Sequence, residues 1–103
     1  MTDPLLRLEA RIAERASAPA DQSYSAALLA RGAPHVARKF GEEAVELILA
    51  GAGEDRAQVV AEAADVLYHL AVLLRARGVA VAEVAAALEA REAQSGLEER
   101  ARR

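Results

Sequence analysis

The 103-residue sequence predicts an all-α fold, a bundle of four to five helices. Three observations carry that reading. Alanine (27 residues) and arginine (12) dominate a chain with six glycines and three prolines, a composition that favours helix throughout. Apolar residues recur at helical spacing, and no run alternates with period two over a useful length, so no strands are expected. Glycine and proline clusters then divide the chain into segments of ordinary helix length.

Pro4 opens the first helix with Asp3 as its cap, and Leu5, Leu6, Leu8 and Ile12 supply its apolar stripe. The run "SAPADQS" breaks the pattern over residues 17–23. A short second helix spans Ser25 to Arg31, where Gly32 stops it. Pro34 opens a third helix that runs to about Ala50, and Gly51 and Gly53 in "GAGED" suit its end. A fourth runs from about Glu54 to Ala76, closed by Gly78, and a fifth covers Val81 to Ala93. There is no internal repeat and no second domain. Residues 1–103 read as one unit with its core within about 5–91 and a charged tail over 92–103.

Aromatic residues are scarce, namely Tyr24, Phe40 and Tyr68, so the core must come from Leu, Val and Ala. Such a core buries little area per helix, and a homo-oligomer is expected. The net charge of -3 is spread without a basic block, which argues against a nucleic-acid partner; the tail "EERARR" is too mixed to serve as one. The absence of cysteine excludes disulfides and thiolate metal sites. The first fifteen residues lack a basic segment followed by an apolar signal core, and no run of eighteen purely apolar residues exists. A cytoplasmic protein without a membrane span is the expectation.

The chemistry lies in the third and fourth helices. In "KFGEEAVELI" the projection sets Val36, Phe40, Ala44 and Leu47 on one side and His35, Arg38, Lys39, Glu42, Glu43 and Glu46 on the other. The three glutamates, three or four apart, point at one neighbourhood. Between Val59 and Leu74 the fourth helix is apolar except for Glu62, Asp65, His69 and the amphipathic Tyr68. Glu62, Asp65 and His69 lie at i, i+3 and i+7, on a stripe about 60° wide. A helix apolar all round is expected to be buried, and buried acids need a cation, an arginine or a shared proton.

Two readings follow. In the plainer one the glutamates of "EEAVE" are solvated, and Glu62 and Asp65 pair with Arg15, Arg31 or Arg38 in a non-catalytic helical dimerisation module. In the other, antiparallel packing collects up to five carboxylates, whose repulsion calls for a cation. Oxygen donors without cysteine suit Mg2+, with Mn2+ possible, and Mg2+ is most useful with phosphates completing its shell. The site would then take a polyphosphate, and a carboxylate not used as a ligand could accept a proton from the attacking water. Lys39, one turn before Glu43, is placed to reach a phosphate. Di-iron and di-manganese bundles use Glu-x-x-His pairs, and no such pair exists here. His69 reads either as a support for the ligands or as an interior histidine bonded to Asp65. Tyr68 reads as packing, and His35 as solvated.

"EEAVE" followed after fifteen residues by "EAAD" resembles the EExxE…ExxD signature of the all-alpha (MazG-type) nucleoside-triphosphate pyrophosphohydrolase superfamily. Within it, "SYSAALLARG", "KFGEEAVELILA" and "EAADVLYHLAVLL", in this order over about residues 5–91, are similar to the phosphoribosyl-ATP pyrophosphohydrolase family. The resemblance implies Mg-dependent hydrolysis of 1-(5-phosphoribosyl)-ATP to 1-(5-phosphoribosyl)-AMP and pyrophosphate, the second step of histidine biosynthesis. It places Glu42, Glu43, Glu46, Glu62 and Asp65 on the metal-binding and catalytic acids. Lys39, Ser23, Tyr24, Ser25 and Arg15 fall on substrate-binding positions, and His69 stands behind the ligands. It also implies a homodimer. Ser25 replaces the family's threonine and keeps the hydroxyl; "GAGED" departs from its polar or basic turn. Another (d)NTP, such as dUTP or dCTP, is the alternative substrate within the superfamily.

Overall fold

A computed structural model describes residues 3–93 of the chain. The ten C-terminal residues, most of the expected charged tail, lie outside the described part. Five helices follow in order: α1 (Pro4–Arg15), α2 (Tyr24–Ala30), α3 (Ala33–Ala52), α4 (Arg56–Ala76) and α5 (Val81–Glu92). All described regular structure is helical, as the composition predicts.

The ends obey local chemistry. Asp3 caps α1, its Oδ1 accepting from the Leu5 amide at 2.7 Å, with Pro4 in the first turn. Ser23 caps α2. Gly32, at φ 91° and ψ 162°, turns the chain from α2 into α3 in a backbone region that costs other residues about 1–3 kcal/mol. α3 runs two residues further than expected, through Gly51 to Ala52, with Gly53 as its cap. α4 starts two residues later than expected because Asp55 is the better cap; its Oδ1 accepts from the Ala57 and Gln58 amides at 3.0 and 3.3 Å. At α5 the Glu9 carboxylate of α1 accepts from the Val81 amide at 2.7 Å. This ties two distant helices through an otherwise orphaned donor.

α3 and α4, joined by only three residues, pack as an antiparallel hairpin and form the most extensive helix pair of the fold. α1 and α2 cover one end of it. The core there comprises Ile12, Leu28, Val36, Ala71 and Val72, with Leu8, Leu29 and Tyr68 packed around it. It is built from aliphatic and alanine side chains as expected, and it is small.

The expectation that α4 is buried all round does not hold within one chain. Its fully buried residues are His69, Ala71 and Val72, all toward the covered end. Toward the hairpin tip, Val60 is 64 % exposed and Leu67 48 %. On α3, Val45, Ile48 and Leu49 are exposed as well. By length and composition alone α4 is apolar enough to cross a membrane, a property it shares with core helices of globular folds. In the fold it is the central helix, in contact with α1, α2 and α3.

Candidate metal centre

The site begins two turns beyond the core. Val36 of α3 and Val72 of α4 are both fully buried in it. Seven residues on from Val36 is Glu43, and seven back from Val72 is Asp65, with Glu62 one turn further. Seven residues are nearly two helical turns, so these acids keep the facing direction of the core valines while lying about 10 Å nearer the hairpin tip. One carboxylate oxygen from each of Glu43, Glu62 and Asp65 lies within 4.8 Å of the others.

This corrects the expected placement of Glu43 on the polar side of α3 with Glu42 and Glu46. The Glu43 side chain is 18 % exposed, against 61 % for Glu42. Glu46 is exposed and belongs to no ion pair among the described residues. Of the five acids singled out in the sequence, three converge and two stand outside the group. Burial also differs from the expectation. Glu62 is half-buried and Asp65 exposed, so neither carries the full cost of an interior charge in the single chain.

Arginine does not neutralise the group. Arg15, Arg31 and Arg38 are exposed and make no ion pair among the described residues. The cation present is Lys39, whose Nζ lies 3.5 Å from Glu42 and 3.6 Å from Glu43. Its ammonium is held above the ordinary lysine range, first by attraction to the Tyr24 oxygen. Desolvation opposes that shift, and Glu42 and Glu43 add to it. One ammonium stands against four carboxylates, which leaves negative charge unbalanced.

The donor set fits a hard divalent cation. All three converging groups offer carboxylate oxygen, with no sulfur and no imidazole nitrogen among them. Oxygens around one octahedral Mg2+ lie roughly 3–4 Å apart, close to the 4.8 Å within which these three lie. Gln58, one turn before Glu62, donates from Nε2 to Glu62 Oε1 at 2.7 Å and orients that carboxylate. Sequence reading missed Gln58; its signal was the i, i+4 spacing to Glu62.

Behind the acids lies a polar knot between α2 and α4. His69 is buried, and its Nδ1 donates to the backbone carbonyl of Asp65 at 2.7 Å. The expected bond to Asp65 is thus made to the main chain rather than to the carboxylate. With Nδ1 carrying the proton, Nε2 accepts from the Tyr24 hydroxyl at 3.1 Å. Ser25 and Tyr68 join hydroxyl to hydroxyl in a short hydrogen bond. Ser23 and Ser25 are both buried, the first capping α2 through the Ala26 amide at 3.2 Å. In this structure the hydroxyls of these two serines, expected at substrate positions, are engaged within the scaffold. Tyr24, between them, is 52 % exposed. Desolvation raises its phenol above the ordinary tyrosine range. Lys39 pulls the other way, and the charges of Glu43 and Asp65 add to the rise. Arg15, at the end of α1, is exposed.

Residues 5–92 match the phosphoribosyl-ATP pyrophosphohydrolase family. The chain is 58 % identical over 99 residues to the phosphoribosyl-ATP pyrophosphatase of Dinoroseobacter shibae, covering 96 % of this chain and 97 % of the relative. It is 52 % identical over 103 residues to that of Rhizorhabdus wittichii, covering 100 % and 97 %. To phosphoribosyl-ATP pyrophosphatase 1 of Bradyrhizobium diazoefficiens it is 55 % identical over 89 residues, covering 86 % and 84 %.

Proposed function

The chain belongs to the phosphoribosyl-ATP pyrophosphohydrolase family, and from that membership we propose how its residues hydrolyse 1-(5-phosphoribosyl)-ATP to 1-(5-phosphoribosyl)-AMP and pyrophosphate, in histidine biosynthesis. The observation that carries the mechanism is the convergence of Glu43, Glu62 and Asp65 within 4.8 Å. These three hold Mg2+, or Mn2+ in its place, through hard oxygen donors. When bound, the cation supplies positive charge to the triphosphate oxygens and a fixed orientation for the reacting groups.

The chain's own residues do the rest. Lys39 offers its ammonium to a phosphate oxygen, and its raised affinity for the proton keeps it charged at neutral pH. Gln58 fixes one Glu62 oxygen, and His69 fixes the backbone of the turn that presents Asp65. Water attacks the anhydride joining the α and β phosphates. One P–O bond forms to the water oxygen, the bridging P–O bond breaks, and pyrophosphate departs. Glu42 and Glu46, exposed and outside the converging trio, are the carboxylates left to take the water's proton.

The active form in this reading is a homodimer in the cytoplasm. Support comes from the exposed Val45, Ile48 and Leu49 of α3 beside Val60 and Leu67 of α4, and from the small core of the single chain. The substrate test compares phosphoribosyl-ATP with ATP, dUTP and dCTP at equal concentration with Mg2+, by chromatography of the products. Phosphoribosyl-AMP and pyrophosphate should form with phosphoribosyl-ATP strongly preferred. Faster cleavage of dUTP or dCTP would move the chain to another substrate of the same superfamily.

A further inference from the structure

Resting on the reading of the acid trio as the phosphate end of a nucleotide site, we infer that the outward ring face of Tyr24 is the platform on which the purine base stacks. Four observations place it there. The ring lies nearly parallel to Tyr68 in an offset contact, with centroids 6.0 Å apart and an interplanar angle of 21°. His69 meets it edge-on at 78° and takes its hydroxyl hydrogen. The residue is nonetheless 52 % exposed, so ring surface remains open beside these two contacts. Finally, Tyr24 hangs from the acid centre itself. Two hydrogen bonds, of 3.1 and 2.7 Å, and the width of one imidazole separate its hydroxyl from the Asp65 carbonyl. The charges of Lys39, Glu43 and Asp65 all act on its phenol.

A base lies one sugar away from its α-phosphate, so with phosphates at the trio the base calls for a flat surface beside the acid centre, and Tyr24 is the exposed ring joined to the Asp65 turn through His69. An exposed tyrosine on a mobile arm would make a poor platform, because stacking must first overcome the entropy of ordering the ring. Here Tyr68 and His69 have already fixed it, and the Ser25–Tyr68 hydrogen bond fixes Tyr68 in turn. A purine offers more overlap than a pyrimidine, so the platform acts as a specificity determinant.

The test is equilibrium binding of ATP and of UTP, each with Mg2+, to wild-type protein and to the Tyr24→Leu and Tyr24→Phe variants. Calorimetry reads affinity, and circular dichroism checks that the helices remain. Wild type should prefer ATP. Tyr24→Leu should weaken ATP by about tenfold and remove the preference over UTP, while Tyr24→Phe retains it. The inference is overturned if wild type fails to bind ATP, if Tyr24→Leu binds ATP as wild type does, if both nucleotides weaken equally, or if Tyr24→Phe loses as much as Tyr24→Leu. A purine preference that depends on Tyr24 in a protein unable to cleave phosphoribosyl-ATP would remove the proposed reaction and leave the platform standing.

Discussion

Each of the three converging acids has a different neighbour. Glu43 sits on the core-facing side of α3, Glu62 is held by Gln58, and Asp65 is borne on a turn whose carbonyl is pinned by His69. Neither Glu62 nor Asp65 is fully buried, so removing its charge should leave the helices intact. Glu62→Gln and Asp65→Asn are each expected to lower kcat by about a hundredfold or more, since loss of even an orienting partner of a ligand costs 10–100-fold. Melting temperature should change by only a few degrees, and full activity in either variant refutes the role.

The Tyr24 phenol provides a second check at this scale. Because its folded value is raised, the neutral phenol persists where a free tyrosine would already have ionised. The stability linked to it is complete below the ordinary tyrosine range and declines as pH rises through that range toward the folded value. Ultraviolet titration of wild type minus Tyr24→Phe should show a midpoint above that of free tyrosine. A midpoint at or below it contradicts the desolvated environment.

The sequence made the acids legible because five carboxylates at helical spacing, two of them in hydrocarbon, have few inexpensive explanations. It did not separate Glu43 from Glu42, since adjacent residues on a helix differ only in facing, and the facing depends on where the partner helix lies. The bonds of Ser23 and Ser25 were hidden for a related reason. A hydroxyl that caps a helix or meets a tyrosine reads the same in one dimension as any other.

The helices themselves were readable almost to the residue, because the punctuation is local. Pro4 and Asp3 start α1, Gly32 turns α2 into α3, and Gly78, at φ 68°, ends α4. The error at the start of α4 is instructive. Glu54 and Asp55 both precede the helix, and the shorter Asp55 side chain reaches the Ala57 and Gln58 amides. Asp55→Ala should cost about 1 kcal/mol in a urea denaturation, within a range of about 0.5–2. That loss falls at the tip of the hairpin that carries the acids. An unchanged midpoint would mean that α4 owes nothing to this cap. The contact between Glu9 and the Val81 amide lay beyond sequence reading, since it joins residues 72 positions apart.

At the scale of the whole molecule, the covered and uncovered halves of the hairpin differ in purpose. The core holds the α1, α2 end together, and the acids and the exposed Val45, Ile48, Leu49 and Val60 lie toward the other. The radius of gyration, 15.7 Å, exceeds the about 13 Å of a compact chain of this size, as a projecting hairpin requires. A second copy laid against Ile48, Leu49 and Val60 would shield that surface from water. Light scattering after size exclusion should report twice the chain mass of 10.9 kDa. Ile48→Asp should shift the population toward monomer. A wild-type chain that stays monomeric at high micromolar concentration contradicts the dimer. The scarcity of aromatic residues leads sequence reading to expect a partner, but it could not say which face stays open, because that depends on how far α1 and α2 reach along the hairpin.

The central claim, that Glu43, Glu62 and Asp65 together hold a divalent cation on which a triphosphate is cleaved, is tested most directly by calorimetric titration of Mg2+ with phosphoribosyl-AMP and pyrophosphate present. Wild type is set beside a Glu43→Gln, Glu62→Gln, Asp65→Asn triple variant of verified helicity. Saturable binding by wild type, absent from the variant, is the predicted result. Equal binding by the two proteins, or none by wild type, contradicts the account.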